Sequence, residues 1–256
     1  DDALGQNLFR LMAEGPSEEL TLTENAQPAI MANAVATLRV LEKEGGVRLA
    51  DKADFVAGHS LGEYSALCAA GAISLSDTAR LLSIRGTAMQ DAVPVGVGAM
   101  AAILGLDFAA VDEIAREAAG DEVCQAANDN DPAQVVISGH KAAVERAVEI
   151  AKARGAKRAL PLSVSAPFHC ALMQPAADAM AEALAQVTIR QPVVPLVANV
   201  LAALISDPAE IAKRLVEPVL EELPGDGQVL AFLNGMDIAS RMIERGVPAQ
   251  ALQRLA

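Results

Sequence analysis

The sequence predicts an α/β fold in which one large domain is interrupted by a smaller inserted unit, and three observations carry that expectation. A short apolar run, Ala53 to Ala57, leads into Gly58-His59-Ser60-Leu61-Gly62 and then into a helix-like stretch. Strand, nucleophile and helix in that order make the turn known as a nucleophile elbow. From Gly96 to Ser165 six elements follow as β-α-β-β-α-β, the ferredoxin-like order. Beyond Ser165 an amphipathic helix, a buried strand and a further helix resume the parent fold.

Each element has a local reason. Leu4 to Met12 reads as helix, and Glu24 to Glu44 as a longer one with Thr23 as N-cap and Gly45-Gly46 as its stop. After the Ala53 to Ala57 strand, Ser60 to Ala70 is helical and ends at Gly71, and Ser76 or Asp77 starts a helix running to about Asp91. In the inserted unit, 96–165, Ala99 to Leu104 is strand, and Phe108 to Ala119 is a helix between Asp107 as N-cap and Gly120 as terminator. Val123 to Ala127 is strand, NDNDP a turn, and Gln134 to Ser138 strand again. Lys141 to Arg154 is a helix with Val144, Ala147, Val148 and Ala151 on one face, and Ala159 to Ser165 closes the unit as a strand. The large domain, 1–95 and 166–256, resumes with a helix from Met173 to Gln186, a buried strand from Val193 to Ala198 and a helix from Pro208 to Glu217. There is no internal repeat and no low-complexity linker.

Composition narrows the chemistry. The 256 residues are 52% hydrophobic, enough to bury a substantial core in one large domain. No apolar run approaches the ~20 residues of a membrane helix, and the opening DDALGQNLFR has neither a basic nor an apolar leader region, so a soluble, cytoplasmic protein is expected. A monomer is the default expectation, with no sequence feature that bears on it. The chain opens without methionine inside a helix-like stretch, and so reads as a fragment. A net charge of −13 argues against nucleic acid, whose phosphates need a basic face. Cys68, Cys124 and Cys170 lie far apart with no CxxC or Cys/His pair, so they read as small buried apolar residues. No metal and no cofactor is implied.

Ser60 between Gly58 and Gly62 has two readings, a tight structural turn or an attacking hydroxyl, and the strand before and helix after favour the second. At such a turn the Leu61 backbone N–H and the positive end of the following helix face the nucleophile and would stabilise an oxyanion. Three histidines are available as base. His59 adjoins Ser60 and projects the other way; His140 reads as a cap at a helix N-terminus of the inserted unit; His169 follows the strand that returns the chain to the large domain, behind a turn locked by Pro167. His169 is the choice. Arg85 falls with Thr78, Leu82 and Met89 on the apolar face of its helix. A guanidinium there needs an internal carboxylate or an anionic ligand, and both readings stand. Asp107, Asp112, Asp121 and Asp129, the acids between Ser60 and His169, belong to helix ends or turns of the inserted unit, so a serine-histidine dyad with a main-chain carbonyl on the imidazole fits better than a triad.

The segments GPSEELTLTENAQPAI, AGHSLGEYSAL, RGTAMQDAVPVGVGAMAAILGL, QVVISGHKAAVERA, GAKRALPLSVSAPFHCALM and PLVANV resemble the malonyl-CoA:acyl carrier protein transacylases of bacterial fatty acid synthesis, in order, over about Ala3 to Glu217. The resemblance implies an α/β-hydrolase-like large domain with a parallel sheet and a ferredoxin-like insertion. It implies Ser60 as the acylated nucleophile, His169 as base and Arg85 as partner of the malonate carboxylate. Phe168, just before His169, goes with malonyl preference in related acyltransferases, and Asn128 lies in a segment similar to the family's loop near the active site; Asn128 and His59 are expected on the substrate-binding side. Two family features have no match here: an opening strand ending in a GQGSQ-like segment that supplies half of the oxyanion hole, and the stretch after Glu217 whose carbonyl orients the histidine. PVLEELPGDGQVLAFLNGMDIAS stands in the second place, and its GDGQVL is similar to a later GxGKVL-like family segment, which implies residues missing between.

The expected function is therefore transfer of a malonyl group from coenzyme A to the phosphopantetheine thiol of acyl carrier protein through a Ser60 ester. The alternatives are a serine thioesterase or esterase, with water as acceptor, and an inactive binding protein of the same fold. Carrier proteins are acidic, so docking on a chain of −13 needs a local basic patch, which KARGAKRAL supplies as Lys152, Arg154, Lys157 and Arg158.

Overall fold

The first third of the chain is rich in helix formers and folds mostly as helices. The structure, a computed structural model, describes residues 1–94, 96–131, 133–162, 164, 166–201 and 203–220. Asn7 caps α1 (Leu8–Glu14), accepting from the Arg10 N–H at 2.9 Å. A single turn, α2 (Ser17–Leu20), precedes α3 (Thr23–Gly45), which buries Met31, Val35 and Leu41 and stops at Gly46 in the left-handed region. Thr23, the expected cap, lies inside that first turn, where its hydroxyl accepts from Gln27 Nε2 at 2.9 Å. After α4 (Leu49–Lys52) come α5 (Leu61–Ala69) and α6 (Leu75–Asp91). The cap of α6 is Ser74 rather than Ser76 or Asp77: its Oγ accepts from the Asp77 N–H and donates to the Asp77 carboxylate, a reciprocal pair that satisfies the helix start.

The middle of the chain follows the β-α-β-β-α-β order: β1 (Gly98–Leu104), α7 (Phe108–Ala119), β2 (Cys124–Asp131), β3 (Gln134–His140), α8 (Lys141–Ala153) and β4 (Arg158–Pro161). The four strands form one antiparallel sheet in the order β2-β3-β1-β4, with Gly98 opposite His140 and Leu104 opposite Gln134. Alternation along each strand sorts the faces. Ala101, Ile103, Val135 and Ile137 pack under α7 and α8, while Met100, Ala102, Ala127 and Val136 form a small apolar cluster with Leu104 and Phe168 against it. Asp107 caps α7 as its position requires, accepting from the Ala110 N–H at 2.9 Å. The NDNDP turn is a correction: β2 continues through Asp131 because bulges between Ala126 and Asn128 and between Asp129 and Asp131 absorb extra residues while pairing persists.

After a 3₁₀ turn (Ala171–Met173), α9 (Gln174–Ala185) leads to the short strand pair β5 (Leu196–Ala198) and β6 (Ala203–Ile205), then α10 (Pro208–Arg214) and α11 (Glu217–Leu220). The helix expected from Pro208 to Glu217 breaks after Arg214, whose guanidinium pairs with both Glu210 and Glu217. The strand expected at Ala53 to Ala57 is reduced to one parallel bridge, Val56 to Leu196, closed by Val56 N–H to Pro195 carbonyl and Val197 N–H to Val56 carbonyl, both 2.8 Å. Pro195 has no N–H to extend it. The α3, α5, α6 and α9 helices share one core with Leu196, including Met31, Leu67, Leu82 and Met180. Among the described residues no helix is long and apolar enough to cross a membrane. The GDGQVL run and the rest of 221–256 lie outside the described residues, as do Ser163 and Ser165 of the expected closing strand.

Candidate active site

The Val56 bridge fixes where the chain enters α5, and the turn that follows is forced by close approach. A Cβ on Gly58 would lie 2.0 Å from the carbonyl of Gly62, so only glycine lets the helix start fold back over the incoming chain. Ser60 at the tip takes φ 50°, ψ −115°, a conformation costing a non-glycine residue about 1–3 kcal/mol and held only because the surroundings over-determine it. Gly62 N–H donates to the His59 carbonyl and Glu63 N–H to the Ser60 carbonyl. The Leu61 N–H, first in the helix, has no intrahelical acceptor and shares the positive end of α5 with Ser60 Oγ.

Two side chains from distant parts of the chain converge on that hydroxyl. His169 Nε2 lies 3.4 Å from Ser60 Oγ, at the long end for a hydrogen bond and within the range by which catalytic contacts loosen without substrate. His169 is buried and itself has a positive φ of 56°. Arg85 Nη2 donates to Ser60 Oγ at 3.1 Å and Nη1 to Gln27 Oε1 at 2.8 Å, from a side chain only 2% exposed. The guanidinium carbon stands 5.9 Å from the Tyr64 ring centroid, which adds a cation–π attraction. Burial pushes the Tyr64 phenol well above its usual range, so it stays a neutral donor, to the Leu215 carbonyl at 3.2 Å.

The other predicted residues fall in different places. Phe168 is half-buried at the seam, packed against both the large core and the small cluster on the four-stranded sheet. Asn128 is buried beside the first β2 bulge, and His59 is exposed. His140 Nδ1 accepts from the Val123 N–H at 2.9 Å, a structural use. Lys152, Arg154, Lys157 and Arg158 are all exposed. Lys152 pairs with Glu149 and Arg154 with Glu117 and Glu113, whereas Lys157 and Arg158 carry no ion pair among the described residues. Sequence reasoning missed Gln27, Glu63 and Asn199. Buried Glu63, in the first turn of α5, accepts from the Asn199 N–H at 3.2 Å and Nδ2 at 3.0 Å and so ties the elbow to the segment after β5. Gln27 sits four residues from Met31 and eight from Val35 on the apolar stripe of α3, the same signal that exposed Arg85.

An acyl transferase domain model matches residues 1–216. The chain belongs to the acyl transferase domain family. Among the curated relatives of this acyl transferase domain, the malonyl CoA-acyl carrier protein transacylase of Escherichia coli K12 is 54% identical over 198 residues, 77% of this chain. The chain spans 63% of that relative's length. A solved acyl-carrier-protein-S-malonyltransferase from Bartonella henselae superposes with a TM-score of 0.88 at 48% identity, covering 99% of this chain and 87% of that one. A type II PKS acyl-carrier protein in complex with its malonyl-transacylase matches with a TM-score of 0.85 at 43% identity, over 92% of this chain and 75% of that chain.

Proposed function

We propose that this chain carries out malonyl transfer from malonyl-CoA to the phosphopantetheine thiol of acyl carrier protein. The observation that carries the reading is the Ser60 hydroxyl set between a histidine and a buried arginine, at 3.4 Å and 3.1 Å. Ser60 Oγ attacks the thioester carbonyl carbon while His169 Nε2 takes its proton. The Leu61 N–H and the α5 N-terminus receive the oxyanion. The C–S bond breaks, and the proton passes from His169 to the departing coenzyme A sulfur. In the second half the carrier thiol gives its proton to His169, its sulfur attacks the ester carbonyl, and Ser60 leaves with the proton restored. Arg85 holds the free carboxylate of the malonyl group with a planar fork of donors, one arm of which now rests on Ser60. Phe168, Asn128 and His59 complete the proposed substrate-binding set, Phe168 from the seam it packs against. Coenzyme A and phosphopantetheine enter as substrates rather than as resident cofactors, and the proposed setting is the cytoplasm.

The finer fold reading is an α/β-hydrolase-like domain, 1–95 and 166–256, whose residues 221–256 lie outside the described ones, carrying a ferredoxin-like subdomain at 96–165; the β2-β3-β1-β4 order and the separate cores of the helices and of the four-stranded unit support it. The carrier docks beside β4, where Lys157 and Arg158 are free to meet acidic residues. That the malonyl-transacylase of the type II PKS complex was solved with its carrier protein supports a carrier as acceptor. The test is a rapid-mixing experiment: malonyl-CoA alone should release one equivalent of coenzyme A in a burst, and adding carrier protein should restore steady turnover. Continued release without carrier would mean water is the acceptor, and no burst would sink the enzyme reading. Reversing Lys157 and Arg158 to Glu should raise KM for carrier and leave transfer to free pantetheine unchanged.

A further inference from the structure

His169 rides on the segment 166–171, and one end of the four-stranded sheet grips that segment at several points. Gly98, the first residue of β1, faces Pro167: a Cβ there would sit 2.2 Å from Pro167 Cγ and 2.5 Å from Cδ, atoms of a ring that cannot rotate aside. Gln125 of β2, paired across the sheet with Ser138 of β3, reaches out to accept from the Ala171 N–H at 2.7 Å, two residues past the histidine. Cys170 is fully buried between these points, its thiol donating to the Pro167 carbonyl at 3.2 Å, with Cys124 and Ser138 beside it. Between the two grips His169 takes φ 56°, which an L-residue leaves for negative φ unless both flanks are held.

We propose that Gln125 is a positioning residue for His169: by fixing the Ala171 N–H, with Gly98 seating Pro167, it holds the imidazole in the left-handed backbone conformation that brings Nε2 to Ser60. The proposal rests on His169 being the base. It gives the four-stranded unit a share in the proton transfer itself, through the geometry of a loop it does not contain. Without the Gln125 acceptor the segment has a lower-strain alternative, and the ring spends less time within reach of the hydroxyl. Substrate binding at Arg85 uses other elements, α3 and α6, and is untouched.

The experiment is single-turnover acylation of the full chain by malonyl-CoA, with saturation curves and unfolding midpoints for each variant. Gln125→Leu keeps the volume and removes the acceptor; acylation should slow about 3- to 10-fold with the apparent affinity for malonyl-CoA within about twofold and an unchanged midpoint. Gln125→Glu, which keeps an acceptor oxygen, should restore the rate. Gly98→Ala should slow acylation at least as much by displacing Pro167. His169→Ala sets the floor, and adding Gln125→Leu to it should cost nothing more. A full rate in Gln125→Leu while His169→Ala is inactive overturns the proposal and leaves the base assignment standing. A full rate in His169→Ala overturns the base assignment itself, and the proposal with it. Equal slowing in Gln125→Leu and Gln125→Glu, with a lowered midpoint, also overturns it, because the residue would then be structural only.

Discussion

Replacing Gln27 by glutamate tests the proposed pairing of Arg85 with the malonyl carboxylate. Gln27 is 4% exposed; its Oε1 accepts from Arg85 Nη1 at 2.8 Å, and its Nε2 donates to Thr23 Oγ1 at 2.9 Å. Glutamate is isosteric, and the Thr23 hydroxyl can turn from acceptor to donor, so only the weak contact of the amide with Met89 Sδ at 3.7 Å is lost. What changes is charge: one arm of the guanidinium now holds a carboxylate. A malonyl carboxylate on the other arm would stand roughly 5 Å from it, and at an effective dielectric near 20 two like charges at that distance repel by about 3 kcal/mol. The expected loss in kcat/KM for malonyl-CoA is therefore on the order of 100-fold, since about 1.4 kcal/mol is a factor of ten. Acetyl-CoA has no such carboxylate and should change by less than about threefold. Thiol release from both thioesters, measured at one ionic strength, gives the ratio. If both fall by the same factor, the arginine is a structural cation and the reasoning about selectivity is wrong.

Arg85→Ala should lower malonyl transfer by an amount equivalent to about 2–5 kcal/mol while acetyl transfer is little changed or improved; equal losses on both would falsify the selective role. Acylation by the unmodified protein should fall toward acid pH as the base takes up a proton, a profile that His59→Ala keeps and His169→Ala loses between pH 5 and 9; the reverse pattern transfers the role. Burial pushes the Cys124 thiol up to about 12 from an ordinary 9.0, so between those values the unfolded chain loses a proton that the folded protein keeps. Stability from this group is whole below about pH 9 and drains away as pH rises, and Cys124→Ala should flatten that decline in denaturant midpoints; an unchanged slope contradicts it.

What was legible in the chain was what is decided locally or by periodicity. Asp107 and Gly120 bracket α7 because cap chemistry needs only a few neighbours. Alternating apolar residues located the four-stranded sheet because its strands put one face under the helices, and β1, β2 and β3 put the other into the small cluster against Phe168. The Val56 strand is shorter than its apolar run suggests because its length depends on a partner 140 residues away, Leu196, with a proline just before it. Arg85 was found because a charge on an apolar stripe has few explanations, and Gln27 and Glu63 carry the same signal more weakly, since buried amides and carboxylates satisfied by neighbours are commoner. The positive φ of His169 left no trace in its residue type, and neither did its grip by Gln125, which is a contact across 46 residues.

The central claim is a covalent one, and the intact mass of the protein after brief exposure to malonyl-CoA tests it most directly. The protein should gain one malonyl group, mapped by peptide analysis to Ser60, and lose it when carrier protein is added; Ser60→Ala should gain nothing. A malonyl increment that persists in Ser60→Ala, or an unmodified protein that still transfers malonyl to the carrier, would contradict the account.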